Sequence, residues 1–140
     1  MWSPRRRAGR LGAAGSMAAA VVIAALVLAG CGGGGGGSSG YKQPTGPAIS
    51  TVTIEAGNLF FKPKTVTLTP PGVYSVKLVN TASGEHTLVF GNRVPGFRLD
   101  VVGDGSTQAM KIDLKHGSYT FWCDVPGHRA AGMEGKITVQ

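Results

Sequence analysis

Residues 121–139 read FWCDVPGHRAAGMEGKITV, and this run sets Cys123, His128 and Met133 at equal spacing, with four residues between neighbours. Thiolate, imidazole and thioether groups are preferred ligands of soft and borderline transition metals. Apolar and polar residues alternate on both sides of the run, as in strands with one buried face. The run therefore predicts two strands joined by a loop that carries three candidate metal ligands.

The same alternation continues through most of the chain from residue 48 onward. It is clearest in short runs at residues 52–54, 66–68, 74–78, 86–90, 110–114, 119–123 and 137–139. Turn signals rich in Gly and Pro separate these runs, and no convincing helical period or internal repeat is present. Short alternating strands punctuated by turns are typical of a sandwich. We predict an all-β, Greek-key β-sandwich of seven or eight strands.

The strand pattern also places the candidate ligands. Cys123 falls on the same face as Phe121, and His86 falls on the same face as Leu88, so both ligand candidates are expected to point inward. One pole of a sandwich can bring the start of one strand close to the end of another. We expect His86 to meet Cys123 at such a pole, where the loop adds His128 and a thioether.

Two His, one Cys and a weakly bound Met make a type 1, or blue, copper site. We therefore predict a single copper ion, cycling between Cu(I) and Cu(II), held by His86, Cys123, His128 and Met133. Structural zinc sites use closed sets of Cys and His without Met. The chain has three His, too few for the extra copper centres of a multicopper oxidase. We predict no enzymatic activity and therefore no catalytic residue.

The sequence resembles the cupredoxin family of small blue copper proteins, in the manner of plastocyanins and azurins. The resemblance rests on YTFWCDVPGHRAAGMEGKITV at residues 119–139, with FFKPKTVTL at 60–68 and VYSVKLVNTASGEHTLVF at 73–90. It implies the same four ligands, a cupredoxin-like fold and an electron-transport role. It also implies a second electron route through the aromatic residue before the Cys, here Trp122. Many plastocyanins and azurins have Asn after the first His, where this chain has Thr87, so the hydrogen bonding around the ligands should differ.

The first 30 residues predict a lipoprotein signal peptide. A head with four Arg precedes an apolar run at residues 17–29, which is shorter than a membrane-spanning helix requires. LAGC at residues 28–31 resembles the lipobox of bacterial lipoproteins, which implies that Cys31 carries the lipid. An ordinary cleaved signal is the alternative reading. The paired Arg leave open whether export uses the general or the twin-arginine route.

The composition changes sharply after the signal. Residues 31–47 begin with Cys31 and continue rich in Gly, Ser and Pro, which predicts a flexible tether. Residues 48–140 are the predicted copper-binding domain. Four of the 14 basic residues precede Cys31, so ten basic and seven acidic residues remain, with a net charge of +3. No basic block with interleaved aromatic residues remains, which argues against a nucleic-acid partner.

These features predict a one-electron carrier, anchored by lipid at the extracytoplasmic face of the cell membrane and working with redox partner proteins. We expect a monomer. The electron-transfer surface is expected at Trp122, Pro126, Ala130 and Ala131. The last three are small residues beside the ligand His128 that let a partner approach it, and Trp122 is the second route. Extracytoplasmic copper binding, storage or delivery is the alternative function, since the same four ligands would serve it.

Overall fold

The structure is a computed structural model that describes residues 40–140. The predicted signal peptide and Cys31 lie outside the described residues. Nine strands and a short 3-10 helix at Gly91–Arg93 form the domain. The strands are β1 (Thr51–Gly57), β2 (Phe60–Lys62), β3 (Thr65–Leu68), β4 (Gly72–Asn80), β5 (Glu85–Val89), β6 (Arg98–Val102), β7 (Thr107–Leu114), β8 (Gly117–Trp122) and β9 (Glu134–Val139). Within the described part of the chain, no helix is long and apolar enough to cross a membrane.

The strands form two sheets that face each other. The first has the order β2-β1-β4-β7, and the second has the order β3-β9-β8-β5-β6. The pairs β1–β4 and β3–β9 are parallel, and the other pairs are antiparallel. The predicted all-β sandwich is therefore confirmed, with nine strands where the sequence predicted seven or eight. The prediction lacked β2, which has three residues, and β6, whose outer face carries charged residues.

Alternating apolar residues from both sheets fill the space between them. The fully buried side chains include Ile54, Leu78, Leu99, Ile112 and Ile137, contributed by five different strands. Burial of such side chains is worth about 1.5–3 kcal/mol each relative to exposure. The hydrophobic core thus joins the two sheets and fixes the positions of the strand ends.

One pole of the sandwich gathers the elements that carry the candidate ligands. Strand β5 begins there, and strand β8 ends there, because β8 runs antiparallel to both β5 and β9. The backbone N–H of Gly103 donates to the carbonyl oxygen of Gly84 at 3.1 Å, which joins the loops before β5 and after β6. His86 and Cys123 therefore meet at this pole, as expected.

Part of the predicted flexible tether contacts the domain. Tyr41 donates a hydrogen bond to the carbonyl oxygen of Lys111 at 3.0 Å, and its ring meets Phe97 edge-on at 5.2 Å. The side-chain oxygen of Gln43 accepts the backbone N–H of Lys111 at 2.8 Å, and Lys111 Nζ donates to the carbonyl oxygen of Gly46. The bonds from Tyr41 and Gln43 satisfy the backbone C=O and N–H of Lys111 at the free edge of β7. Tyr41 and Gln43 of the predicted tether therefore contact the domain predicted at residues 48–140.

Candidate metal centre

His86 is the second residue of β5, and its side chain is only 3% exposed. In β5 it lies on the same face as Leu88, as the alternation predicts. Burial and the neighbouring His128 lower the pKa of His86, so the neutral imidazole that a metal requires is favoured. Its Nδ1 atom has no hydrogen-bond partner. Among residues 40–140, it is the only buried side-chain polar atom without one.

Cys123 directly follows β8 and is completely buried. Its sulfur lies 3.4 Å from Nδ1 of His128. The backbone N–H of Thr87 points at the same sulfur, also at 3.4 Å. Among residues 40–140, Cys123 is the only Cys, and it forms no disulfide. A buried thiol beside two imidazoles is suited to hold a soft metal as thiolate.

The loop between Cys123 and β9 is held by its own backbone hydrogen bonds. His128 N–H donates to the carbonyl oxygen of Val125, and Met133 N–H donates to the carbonyl oxygen of His128, both at 3.1 Å. Ala131 N–H donates to the carbonyl oxygen of Gly127 at 3.0 Å. These bonds restrict the loop and fix where His128 sits. Met133 is completely buried at the end of the loop.

The donor atoms of His86, Cys123 and His128 all lie within 4.8 Å of one another. No other group of three or more His, Cys, Asp or Glu side chains comes together in this way within the described residues. A buried imidazole nitrogen without a partner costs free energy unless something binds it. The unpartnered Nδ1 of His86 therefore fits a bound metal ion, and a donor set of two imidazoles and a thiolate fits copper.

Two contacts beside the cluster were not predicted from the sequence. Thr87 and Asp124 directly follow the ligand candidates His86 and Cys123. The Thr87 hydroxyl donates to the Asp124 carboxylate and accepts a hydrogen bond from the Asp124 backbone N–H. Arg98 forms an ion pair with the Asp124 carboxylate. The sequence shows Asp124 directly after Cys123. Its hydrogen-bond partner, Thr87, depends on how β5 and β8 are aligned, which the sequence does not show.

The residues of the expected electron-transfer surface lie in two settings. Pro126, Ala130 and Ala131 are exposed around the half-buried His128. Trp122 is half-buried on the outer face of the second sheet, and the Arg129 guanidinium lies over its ring at 4.0 Å. Small residues therefore surround the imidazole, whereas the indole is partly covered.

Residues 48–140 match the family described as copper binding proteins of the plastocyanin/azurin family. The chain belongs to this family. The cupredoxin resemblance of the sequence is thereby confirmed, and the His86–Cys123–His128 cluster of this plastocyanin/azurin-family protein fits one type 1 copper ion. The family match and the ligand cluster also confirm copper as the predicted cofactor.

Two plastocyanins illustrate the relationship. The chain is 32% identical over 99 residues to a plastocyanin of Nostoc punctiforme, covering 61% of this chain and 68% of that protein. It is 34% identical over 95 residues to the chloroplastic plastocyanin of Chlamydomonas reinhardtii, covering 61% of this chain and 62% of that protein. The match thus spans close to two thirds of each relative.

Two solved auracyanin structures share the fold of this cupredoxin. A reduced auracyanin of Roseiflexus castenholzii aligns with a TM-score of 0.56 at 23% identity, covering 67% of this chain and 99% of that one. Auracyanin B aligns with a TM-score of 0.58 at 22% identity, covering 70% and 94%. The nine-stranded sandwich is therefore a cupredoxin-like fold.

Proposed function

We propose that this protein is a one-electron carrier that holds one copper ion through His86, Cys123, His128 and Met133. The observation that carries the proposal is the unpartnered Nδ1 of His86, buried beside a thiol and a second imidazole. When bound, copper supplies the one-electron redox chemistry. No substrate-activating residue is assigned, and the role proposed is that of a carrier and not of an enzyme.

The chain's contribution is to keep the ligands in place in both oxidation states. His86 lies in a strand of the packed sandwich, and Cys123 directly follows another. The backbone bonds of the loop restrain His128. Full burial of Cys123 and Met133 keeps water away from two of the four ligands. A frame of this kind lowers the rearrangement that a change of charge would otherwise cause.

We place the contact with redox partner proteins at the loop around His128. Pro126, Ala130 and Ala131 are exposed there, and their small size lets a partner surface approach the imidazole edge. Electron transfer weakens steeply with distance, so a close approach to this edge favours transfer. Trp122 is the second route, at a surface that Arg129 partly covers.

We propose the location of the protein from its amino-terminal sequence. The LAGC motif at residues 28–31 supports a lipid on Cys31 and a position at the extracytoplasmic face of the cell membrane. The Gly-rich stretch after it supplies flexible reach between the membrane and the domain. We propose that the anchored protein acts as a monomer.

Repeated reduction and reoxidation in the presence of a Cu(I) chelator tests the carrier role against copper storage or delivery. We expect the protein to keep its copper over many cycles at neutral pH, because the ligands sit on strands and a braced loop. His128→Ala should lose copper to the chelator, whereas His116→Ala, in an exposed turn, should retain it. Rapid loss of copper from the unaltered protein at each reduction would favour copper delivery over electron transfer as its function.

A further inference from the structure

Thr87 in β5 lies beside Asp124, two residues after the end of β8, and each directly follows a proposed ligand, His86 or Cys123. The pairing of Val89 with Trp122 in β5 and β8 brings Thr87 level with Asp124. Successive residues of a strand point to opposite faces. Thr87 therefore lies on the face opposite His86, where its side chain is completely buried.

The two residues form a closed pair of hydrogen bonds. The backbone N–H of Asp124 donates to Oγ1 of Thr87 at 2.9 Å. The Thr87 hydroxyl lies 2.7 Å from Oδ1 of Asp124 and 3.6 Å from Sγ of Cys123. A hydroxyl has only one proton to donate. The carboxylate and the sulfur therefore compete for the same proton.

Distance decides this competition in favour of Asp124. The hydroxyl lies at 2.7 Å from the carboxylate oxygen, the short separation of a charge-assisted hydrogen bond, but at 3.6 Å from the sulfur. Arg98 pairs with the other carboxylate oxygen of Asp124 and also donates to Asp100 Oδ1 at 2.7 Å. These contacts hold the Asp124 carboxylate where it can accept the Thr87 proton.

We propose that Asp124 withholds the Thr87 hydroxyl proton from the Cys123 sulfur and thereby sets the reduction potential of the copper site. The sulfur then accepts a hydrogen bond from the backbone N–H of Thr87 but none from the Thr87 hydroxyl. Hydrogen bonding around the Cys sulfur tunes the potential of blue copper sites. An added bond stabilises negative charge on the thiolate and weakens its donation to Cu(II), which favours the reduced state. Thr87 and Asp124 are positioning residues in this scheme, which rests on the proposed ligand role of Cys123.

A double-mutant cycle tests the proposal on the copper-loaded full chain. Asp124→Ala frees the hydroxyl to turn toward the sulfur, and it also removes a negative charge, which by itself raises the potential. Thr87→Val removes the hydroxyl, so Asp124→Ala in that background measures the effect of the charge alone. The difference between the two shifts isolates the hydroxyl proton.

We expect Asp124→Ala to raise the potential more when Thr87 is present than when Val replaces it. The blue absorption band should shift in energy only in the variant that gains the sulfur bond. Thr87→Val alone should change the potential little, and Thr87→Ser should restore the full Asp124→Ala effect. Thermal unfolding of each metal-free variant, followed by circular dichroism, shows that the fold is kept.

Two results would overturn the proposal. Equal Asp124→Ala shifts in both backgrounds would mean that the carboxylate acts through its charge alone. A lower potential in Thr87→Val would mean that the hydroxyl already donates to the sulfur in the unaltered protein. Absence of a blue band from the unaltered protein loaded with Cu(II) would instead defeat the proposed function, so the two failures are distinguishable.

Discussion

The backbone N–H of Cys123 donates a hydrogen bond to the carbonyl oxygen of Met133 at 3.1 Å, so the two ends of the ligand loop are joined directly. The loop leaves β8 and returns to β9 through this closure. Because β8 and β9 are also paired along their length, the sheet holds both ends of the loop in place. Two candidate ligands are thus fixed by the same bond.

Cys123→Ser should abolish the intense blue absorption of the Cu(II) protein, because that colour comes from the bond between thiolate and copper. Ser is close to Cys in size, and the buried position should remain filled. The measurement is the visible absorption spectrum after addition of one equivalent of Cu(II). Cys31→Ser is the matched control, since it removes the other Cys of the chain and should leave the colour unchanged. A blue Cys123→Ser protein would contradict the ligand assignment.

Met133→Leu should keep the blue colour and raise the reduction potential, because a weak axial donor to Cu(II) is lost. The swap conserves volume, so it should cost less than about 1.5 kcal/mol of stability at this buried position. Voltammetry measures the potential. Met110→Leu provides the control, since Met110 is buried on β7, in the other sheet. An unchanged or lowered potential in Met133→Leu would show that Met133 is not the axial ligand.

Gly135→Ala should destabilise the domain through a close approach at the base of the ligand loop. A Cβ at this buried β9 position would lie 2.3 Å from the Phe121 ring and 2.7 Å from the backbone oxygen of Lys64. Overpacking of this kind costs about 1–3 kcal/mol. Chemical denaturation measures the free energy of unfolding. Lys136→Ala, at the next and exposed position, should stay within about 0.5 kcal/mol of the unaltered protein.

Most of the ligand cluster was predictable because strand alternation and loop spacing are local properties. The faces of His86 and Cys123 follow from alternation alone, and the cluster confirms that the sandwich brings them together. The bonds between Thr87 and Asp124 depend instead on the alignment of β5 with β8, which no local pattern encodes. The structure therefore brings His86, Cys123 and His128 together and adds the contacts around them, while the ligand role of Met133 stays a prediction.

The packing of Tyr41 was unpredictable for a different reason. The residues before it are Gly and Ser, and this composition predicts a flexible chain. The contacts of Tyr41 with Phe97 and Lys111 span 56 and 70 residues of sequence and include a strand edge that exists only after folding. Composition alone cannot show where such a segment begins to pack.

Tyr41→Phe should lower the free energy of unfolding by about 0.5–1.5 kcal/mol, the usual net worth of one intramolecular hydrogen bond. The bond lost is the one from the Tyr41 hydroxyl to the carbonyl oxygen of Lys111. Tyr41→Ala should cost more, because it also removes the edge-on contact with Phe97. Denaturation of the full chain measures both. Equal stability of Tyr41→Ala and the unaltered protein would show that the Tyr41 side chain contributes nothing to the stability of the domain.

Cys31→Ser should release the protein from membranes while the copper domain stays folded. The lipid is expected on Cys31, whereas the described core is built from the domain with Tyr41 packed against it, so we expect the substitution to remove the anchor without touching the core. A single acyl chain holds a protein weakly and reversibly, and two or more chains hold it firmly. Separation of membranes from soluble material, followed by detection of the protein, measures the distribution.

The copper site gives this experiment an internal check. The soluble Cys31→Ser protein should still turn blue with Cu(II), because none of the four proposed ligands is altered. Cys123→Ser should show the opposite behaviour, staying with the membrane and losing the colour. If Cys31→Ser stays in the membrane fraction after a wash with high salt, which screens surface charge attraction, then an uncleaved amino-terminal segment and not a lipid holds the protein.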